Sequence, residues 1–64
     1  MLLNFTESVS KQTISVNPKY VVAIMTVAEG DLKDKTLISL VNGSVAVDED
    51  FLVVSGEVKG AMNV

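Results

Sequence analysis

Apolar and polar residues alternate along the first quarter of this chain with the period of two that is typical of β-strands. In residues 2–7, Leu3 and Phe5 point to one side while their polar neighbours point to the other. Residues 11–16 repeat the alternation, with Ile14 directed inward. The polar residues between the two segments are typical of a turn. We therefore predict two half-buried strands at the start of the chain.

A third segment, YVVAIMTV at residues 20–27, is apolar on both faces. Its β-branched residues favour a strand over a short buried helix. The Asn17-Pro18 pair before it interrupts any earlier ladder, because proline has no amide hydrogen. We predict that this strand lies at the centre of the sheet. The alternation assigns one face to Tyr20, Val22, Ile24 and Thr26, and the other face to Val21, Ala23, Met25 and Val27.

Residues 35–47 contain the strongest local signal, because Asn42-Gly43 separates two runs of β-forming residues. Asn-Gly favours a two-residue type I′ hairpin turn, in which both residues have positive φ. The resulting register pairs Val41 with Ser44, Leu40 with Val45, Ser39 with Ala46 and Ile38 with Val47. One face of the hairpin then carries the core residues Ile38, Leu40, Val45 and Val47. The other face carries the small and weakly polar set Ser39, Val41, Ser44 and Ala46.

Residues 48–63 allow two interpretations. Asp48 suits a helix N-cap, Glu49 and Asp50 lie favourably near the positive end of a helix, and apolar residues recur at three or four positions. Two glycines weaken a helix, and the FLVV run is also compatible with a fifth strand. We predict the helix, because capping and periodicity agree. The three acids also form a candidate acidic end for docking, although cap and dipole chemistry explains them adequately.

Together these elements predict a single domain over residues 1–64 of the mainly β (α+β) class. The predicted architecture is a small antiparallel meander of four to five strands, with an Asn42-Gly43 hairpin and a short C-terminal helix. No Gly-rich phosphate cradle and no serine elbow interrupts this pattern.

Composition adds a reason to expect self-association. A chain of 64 residues lies near the lower limit for independent folding, and with neither Cys nor His it gains no disulfide or zinc site. The hydrophobic content is 48%. Such a small monomer does not easily bury so much apolar surface. We therefore predict a homo-oligomer whose contact surface joins the second faces of the central strand and the hairpin. The predicted self-association or partner surface consists of Val21, Ala23, Met25, Val27, Ser39, Val41, Ser44 and Ala46.

The charge pattern disfavours several other functions. The five basic residues are all Lys, they are spread along the chain, and eight acids outnumber them. This is not the footprint of a nucleic-acid-binding protein. The longest apolar run is too short for a membrane helix, and the N-terminus lacks a signal-peptide pattern, so we expect a cytoplasmic location and no membrane association. The acids of residues 28–34 lack a calcium-loop spacing and are interpreted as a solvated loop, so we expect no metal and no cofactor.

Catalysis is also disfavoured, because a chain without His or Cys lacks the commonest general base and the strongest nucleophile. The acids fall in a loop and at a predicted helix start. Solvent at such places leaves a carboxylate without the shifted pKa that a general acid or base needs. We therefore expect no catalytic residue and no enzyme activity.

The order of motifs resembles that of small flagellar and swarming proteins of the FlbD type. In that family a short strand leads into an Asn-Pro turn, an apolar strand, a polar hairpin tip, a T-x-I-x-L strand, an Asn-Gly turn and a valine-rich strand that enters a helix through acids. The resemblance covers residues 16–50. Its motifs are Val16-Asn17-Pro18, residues 20–24, residues 36–41, Asn42-Gly43 and Val47-Asp48-Glu49. The resemblance implies the same small antiparallel fold and a flagellar or swarming role.

The leading hypothesis is a small non-enzymatic interaction or regulatory module that acts as a homo-oligomer, encoded by a bacterium or a phage to modulate a host protein. One alternative is an oligomer that sequesters an anionic, nucleotide-like molecule in pockets between subunits, lined by Lys19, Lys33 or Lys35. A second alternative is a structural assembly subunit whose edge strand adds to a neighbour.

Overall fold

A computed structural model of the chain describes residues 1–62 and confirms the predicted fold class: five strands in two antiparallel sheets precede one C-terminal helix. The elements are β1 (Leu3–Thr6), β2 (Thr13–Val16), a 3-10 turn (Pro18–Tyr20), β3 (Val21–Thr26), β4 (Thr36–Leu40), β5 (Gly43–Val47) and α1 (Phe51–Met62).

Two sheets form, one from β1 and β2 and the other in the order β3-β4-β5. The prediction that residues 20–27 form the central strand is therefore wrong, because β3 pairs only with β4, and β4 lies between β3 and β5. A single antiparallel bridge between Glu7 and Val47 joins them. Around this bridge the Ser8 N–H donates to the Ala46 carbonyl at 2.9 Å, and the Asp48 N–H donates to the Thr6 carbonyl at 2.9 Å. The end of β1 therefore closes the β5 edge of the larger sheet.

One hydrophobic core fills the space between the inner faces of the sheets and α1. Phe5, Ile38, Val47 and Val54 are almost completely buried in it. Leu3, Val16 and Val58 complete the buried cluster. The alternation predicted for the first two strands is thus confirmed, because the residues opposite the core on β1 and β2 are polar and include an Asn4–Ser15 hydrogen bond of 2.7 Å.

Residues 51–62 are helical, as predicted, and the alternative strand at FLVV does not form. Asn63, the last residue of the predicted segment, lies outside the described residues. Val54 and Val58 face the core. The predicted N-cap at Asp48 is wrong, because α1 begins at Phe51 and the Val54 N–H donates to the Asp50 carbonyl at 3.0 Å. Asp50 therefore occupies the N-cap position, and Asp48 lies in the link between β5 and the helix.

The β4–β5 hairpin forms, but its predicted register is wrong by one residue on each strand. Leu40 pairs with Gly43 and Ile38 pairs with Val45, so Val41 and Asn42 make the turn. Gly43 has φ +155°. It is the first residue of β5, whereas the prediction made it the second residue of a type I′ turn. The slip displaces both strands equally, so each residue keeps its predicted face.

A β-bulge in β3 corrects the predicted faces of that strand. Val21 pairs with Leu40 and Ala23 pairs with Ser39, so Val22 is an extra residue with no partner of its own on β4. The extra residue moves Val21 to the inner face, where it packs against the core, and leaves Val22 66% exposed. Only the part of β3 after the bulge follows the predicted alternation.

Candidate interaction surface

The face of the β3-β4-β5 sheet that points away from the core carries two rows of uncharged side chains. The strand registers align Ala23, Ser39 and Ser44 in one row and Met25, Leu37 and Ala46 in the next. We call these six residues the outer face.

The outer face is small, uncharged and partly open. Met25 is 46% exposed, and Leu37 and Ser39 on the central strand are half-buried. Ala46 is buried, and the Ser8 N–H donates to its carbonyl group. An exposed sheet face usually carries long charged side chains, and none of these six positions has one.

The structure brings together five of the eight residues predicted for the contact surface: Ala23, Met25, Ser39, Ser44 and Ala46. Val21 is not among them, because the bulge turns it inward. Val27 follows the end of β3, and Val41 lies in the β4–β5 turn with 69% of its surface exposed. Leu37 belongs to the outer face but is absent from the predicted surface, because the predicted register ended at Ile38. Its alternation with Ser39 was the available signal.

An ion-pair network limits the outer face at the ends of these strands. Lys11 Nζ lies 2.9 Å from Asp48 Oδ2, and Lys35 Nζ lies 3.1 Å from Asp48 Oδ1. Hydrogen bonds from Lys11 and then Lys35 lower the pKa of Asp48 from its ordinary 3.8 to about 2. Asp48 is therefore engaged within the chain, which argues against its use as a free docking charge.

The Asp48 network predicts a specific acid dependence of stability. Since its folded pKa lies below its unfolded pKa, Asp48 stabilises the fold above pH 3.8, and this contribution is lost as the pH falls toward 2. We expect the Asp48→Asn variant to have a lower urea midpoint than the unchanged protein above pH 4. The difference should shrink between pH 4 and pH 2. Parallel midpoint curves for the two proteins across that range would contradict the role of Asp48.

The Glu49 side chain accepts hydrogen bonds from Thr6, the last residue of β1. Its carboxylate accepts the Thr6 backbone N–H at 2.8 Å and the Thr6 hydroxyl at 3.0 Å. Its own carbonyl accepts the hydroxyl of the buried Thr36 at 2.8 Å. Of the three acids in the predicted acidic end, Asp50 alone is exposed. The structural role thus dominates at Asp48 and Glu49.

Truncating Glu49 tests that structural role. The Glu49→Ala variant leaves the part-buried Thr6 N–H without its acceptor. We therefore expect a loss of about 1–3 kcal/mol of unfolding free energy in urea titrations. Glu57 is exposed on α1, so Glu57→Ala is the matched control. A surface substitution of this kind should change the unfolding free energy by less than about 0.5 kcal/mol. Equal effects of the two substitutions would show that the Glu49–Thr6 contact contributes nothing.

The structure places two of the three lysines proposed for an anion pocket at opposite ends of β3. Lys19 lies before β3, whereas Lys35 lies at the opposite end of β3 and is paired with Asp48. A cleft of about 350 Å³ beside Lys19 is mostly apolar. Its lining residues are Met1, Asn17, Pro18, Lys19, Ala61 and Met62.

Neither a metal-binding cluster nor a membrane-spanning helix is found in residues 1–62. No three acidic side chains of this range lie close enough together to hold a metal ion. In the part of the chain that the structure describes, no helix has the length and apolar character needed to cross a bilayer.

Comparison of this chain with protein-family models, with curated proteins and with solved structures finds no match. The structure itself defines a small α+β protein whose larger sheet has one uncharged face.

Proposed function

We propose that the protein is a small non-enzymatic interaction module that acts as a homo-oligomer, with the outer face lying between copies. The observation that supports this proposal most strongly is the pair of uncharged rows across three strands, centred on Leu37 and Ser39. Small side chains allow a second sheet to approach closely, and the exposed thioether of Met25 adapts to an opposing surface. The occupant we propose is a second copy of the same face, because a two-fold axis brings a patch against its own copy, and an uncharged patch then meets no charge repulsion.

The size of the outer face sets the expected strength of this contact. Three strands span roughly 14 Å, and the three residues of each strand that the two rows include span about 10 Å, a footprint of about 140 Å². Stable interfaces bury about 800 Å² on each partner. Contact between two single outer faces should therefore be weak, and a stable oligomer needs a further contact between copies.

The regulatory part of the proposal rests on sequence alone. A role in flagellar assembly or swarming follows from the resemblance of residues 16–50 to FlbD-type proteins. A modulator of one host protein, encoded by a bacterium or a phage, is a separate form of the regulatory proposal that does not rest on this resemblance.

Sedimentation equilibrium over concentrations from low micromolar to near millimolar tests the self-association. We expect the weight-average mass to rise above the chain mass of 6.8 kDa and to reach a multiple of it. A strict monomer over the whole range would refute the proposed function.

A further inference from the structure

The outer edge of β3 presents backbone groups that nothing in residues 1–62 pairs. The Val27 N–H donates to the Lys35 carbonyl at 2.9 Å. Hydrogen-bonded residues alternate along an antiparallel ladder, so the backbone groups of Ala23 and Met25 point to β4. Those of Ile24 and Thr26 point away from it, and no other segment of the described residues hydrogen-bonds to them.

The start of β3 is different, because the bulge ends the regular ladder there. The Val21 N–H donates to the Pro18 carbonyl, and Val22 is the extra residue of the bulge. Ile24 and Thr26 are therefore the two residues of β3 whose N–H and C=O groups both face the free edge.

We propose that β3 pairs antiparallel with β3 of a second copy about a two-fold axis through Met25. The pairing presupposes the self-association proposed above. In this register Ile24 lies opposite the partner's Thr26, and Thr26 lies opposite the partner's Ile24. The two pairs form four hydrogen bonds that use every free N–H and C=O of both residues. A two-fold axis through Ile24 would form two such bonds, because the bulge removes Val22 from the ladder.

Side chains on β3 agree with this register. Met25, which is 46% exposed, lies opposite the partner's Met25. Ala23 lies opposite the partner's Val27, so a small residue meets a larger one. The sequence of β3, VVAIMT, has no charge and no proline. Charges and prolines are the usual protections of an exposed strand edge.

The free edge of β2 is a weaker candidate for the same contact. The Glu7 N–H donates to the Gln12 carbonyl, so the same alternation leaves Thr13 and Ser15 with free backbone groups. Their side chains are exposed and polar, and burying them gains little. Lys11, which is also exposed, lies two residues before β2. The β2 edge therefore serves as an internal control.

Edge pairing supplies the contact that the outer face alone lacks. It joins two outer faces into one six-stranded surface and doubles the footprint available for stacking. The edge axis is perpendicular to the sheet and the stacking axis lies in its plane, so the smallest closed assembly that uses both has four copies. Its mass is four times 6.8 kDa.

Hydrogen exchange of the unchanged protein tests the pairing directly. In the dissociated chain at low concentration, the amides of Ile24 and Thr26 should exchange quickly and those of Ala23 and Met25 slowly. In the assembly the Ile24 and Thr26 amides should slow by about tenfold or more. The amides of Thr13 and Ser15 on the β2 edge should remain fast.

A proline substitution gives a second, independent test. Thr26→Pro removes one N–H on the free edge of β3 without removing a bond to β4, and so deletes two of the four proposed bonds in each pair of copies. At about fivefold per bond, the dissociation constant should rise about 25-fold. Ser15→Pro is the matched change on the β2 edge and should leave association unchanged, with circular dichroism confirming that both variants fold.

The outcomes separate the pairing from the proposed function. A monomer at every concentration would overturn both. An assembly in which the Ile24 and Thr26 amides stay as fast as those of Thr13 and Ser15 would overturn the edge pairing alone. Exchange of the unchanged protein decides the question if Thr26→Pro fails to fold.

Discussion

The Phe5→Ala variant is expected to be largely unfolded at 25 °C. Phe5 is 1% exposed and lies at the centre of the core between the two sheets and α1. Truncating a buried Phe costs about 3–5 kcal/mol. A single core in a chain of fewer than about 70 residues rarely supplies more than about 3–5 kcal/mol in total. The loss thus equals the available stability.

Circular dichroism and the dispersion of amide NMR signals measure this effect. Leu2 is 59% exposed and precedes β1, so Leu2→Ala is the matched control. Its unfolding free energy should differ from that of the unchanged protein by less than about 0.5 kcal/mol. A Phe5→Ala variant that unfolds cooperatively at the same urea concentration as the unchanged protein would show that the Phe5 side chain does not stabilise the core.

The second large effect is expected at the outer face. Ser39→Lys puts an ammonium group at the middle of the uncharged rows, between Ala23 and Ser44. Across a two-fold contact, two such charges approach each other and lose their hydration, so we expect the dissociation constant to rise about 100-fold or more. The monomer should keep its fold, because Ser39 contributes no side chain to the core.

Ser15→Lys is the control for Ser39→Lys. Ser15 is an exposed strand residue on the polar side of β2, and its hydroxyl donates only to the exposed Asn4. The same change of charge there should leave the oligomeric mass unaltered. Equal loss of association in both variants would indicate a general charge effect rather than a contact at the outer face.

The faces of the strands could be predicted because successive residues of a strand point to opposite faces, so a shift of an even number of residues between two paired strands leaves every face unchanged. The β4–β5 hairpin slips by one residue on each strand, yet Ile38 and Val45 still share the inner face while Ser39 and Ser44 share the outer face. Burial confirms this partition, since Ile38 and Val47 are completely buried. A periodic pattern thus survives an error in the turn.

The bulge in β3 could not be predicted from the pattern. It arises where the 3-10 turn of Pro18–Tyr20 enters the sheet and the Val41 N–H donates to the Tyr20 carbonyl at 3.1 Å. That contact depends on the position of the β4–β5 turn, and the Val21-Val22 pair contains no signal that marks which residue is extra. Val21 was therefore assigned to the wrong face.

The roles of Asp48 and Glu49 also could not be predicted from neighbouring residues in the sequence. Local capping rules assigned Asp48 to the helix, but its partners are Lys11 and Lys35, and Lys11 lies 37 positions away in the sequence. Glu49 binds Thr6, which is 43 positions away. Such contacts follow from the closure of β1 on β5, which depends on the whole fold.

Contact between outer faces is tested by an isotope-filtered NOE measurement on a mixture of labelled and unlabelled chains. We expect contacts from the Leu37 methyl groups of one copy to the outer face of another, since Leu37 lies on the central strand of that face. An assembled protein that shows no such contacts would contradict the proposed contact between outer faces, above all if intermolecular contacts came instead from the exposed Leu52 of α1.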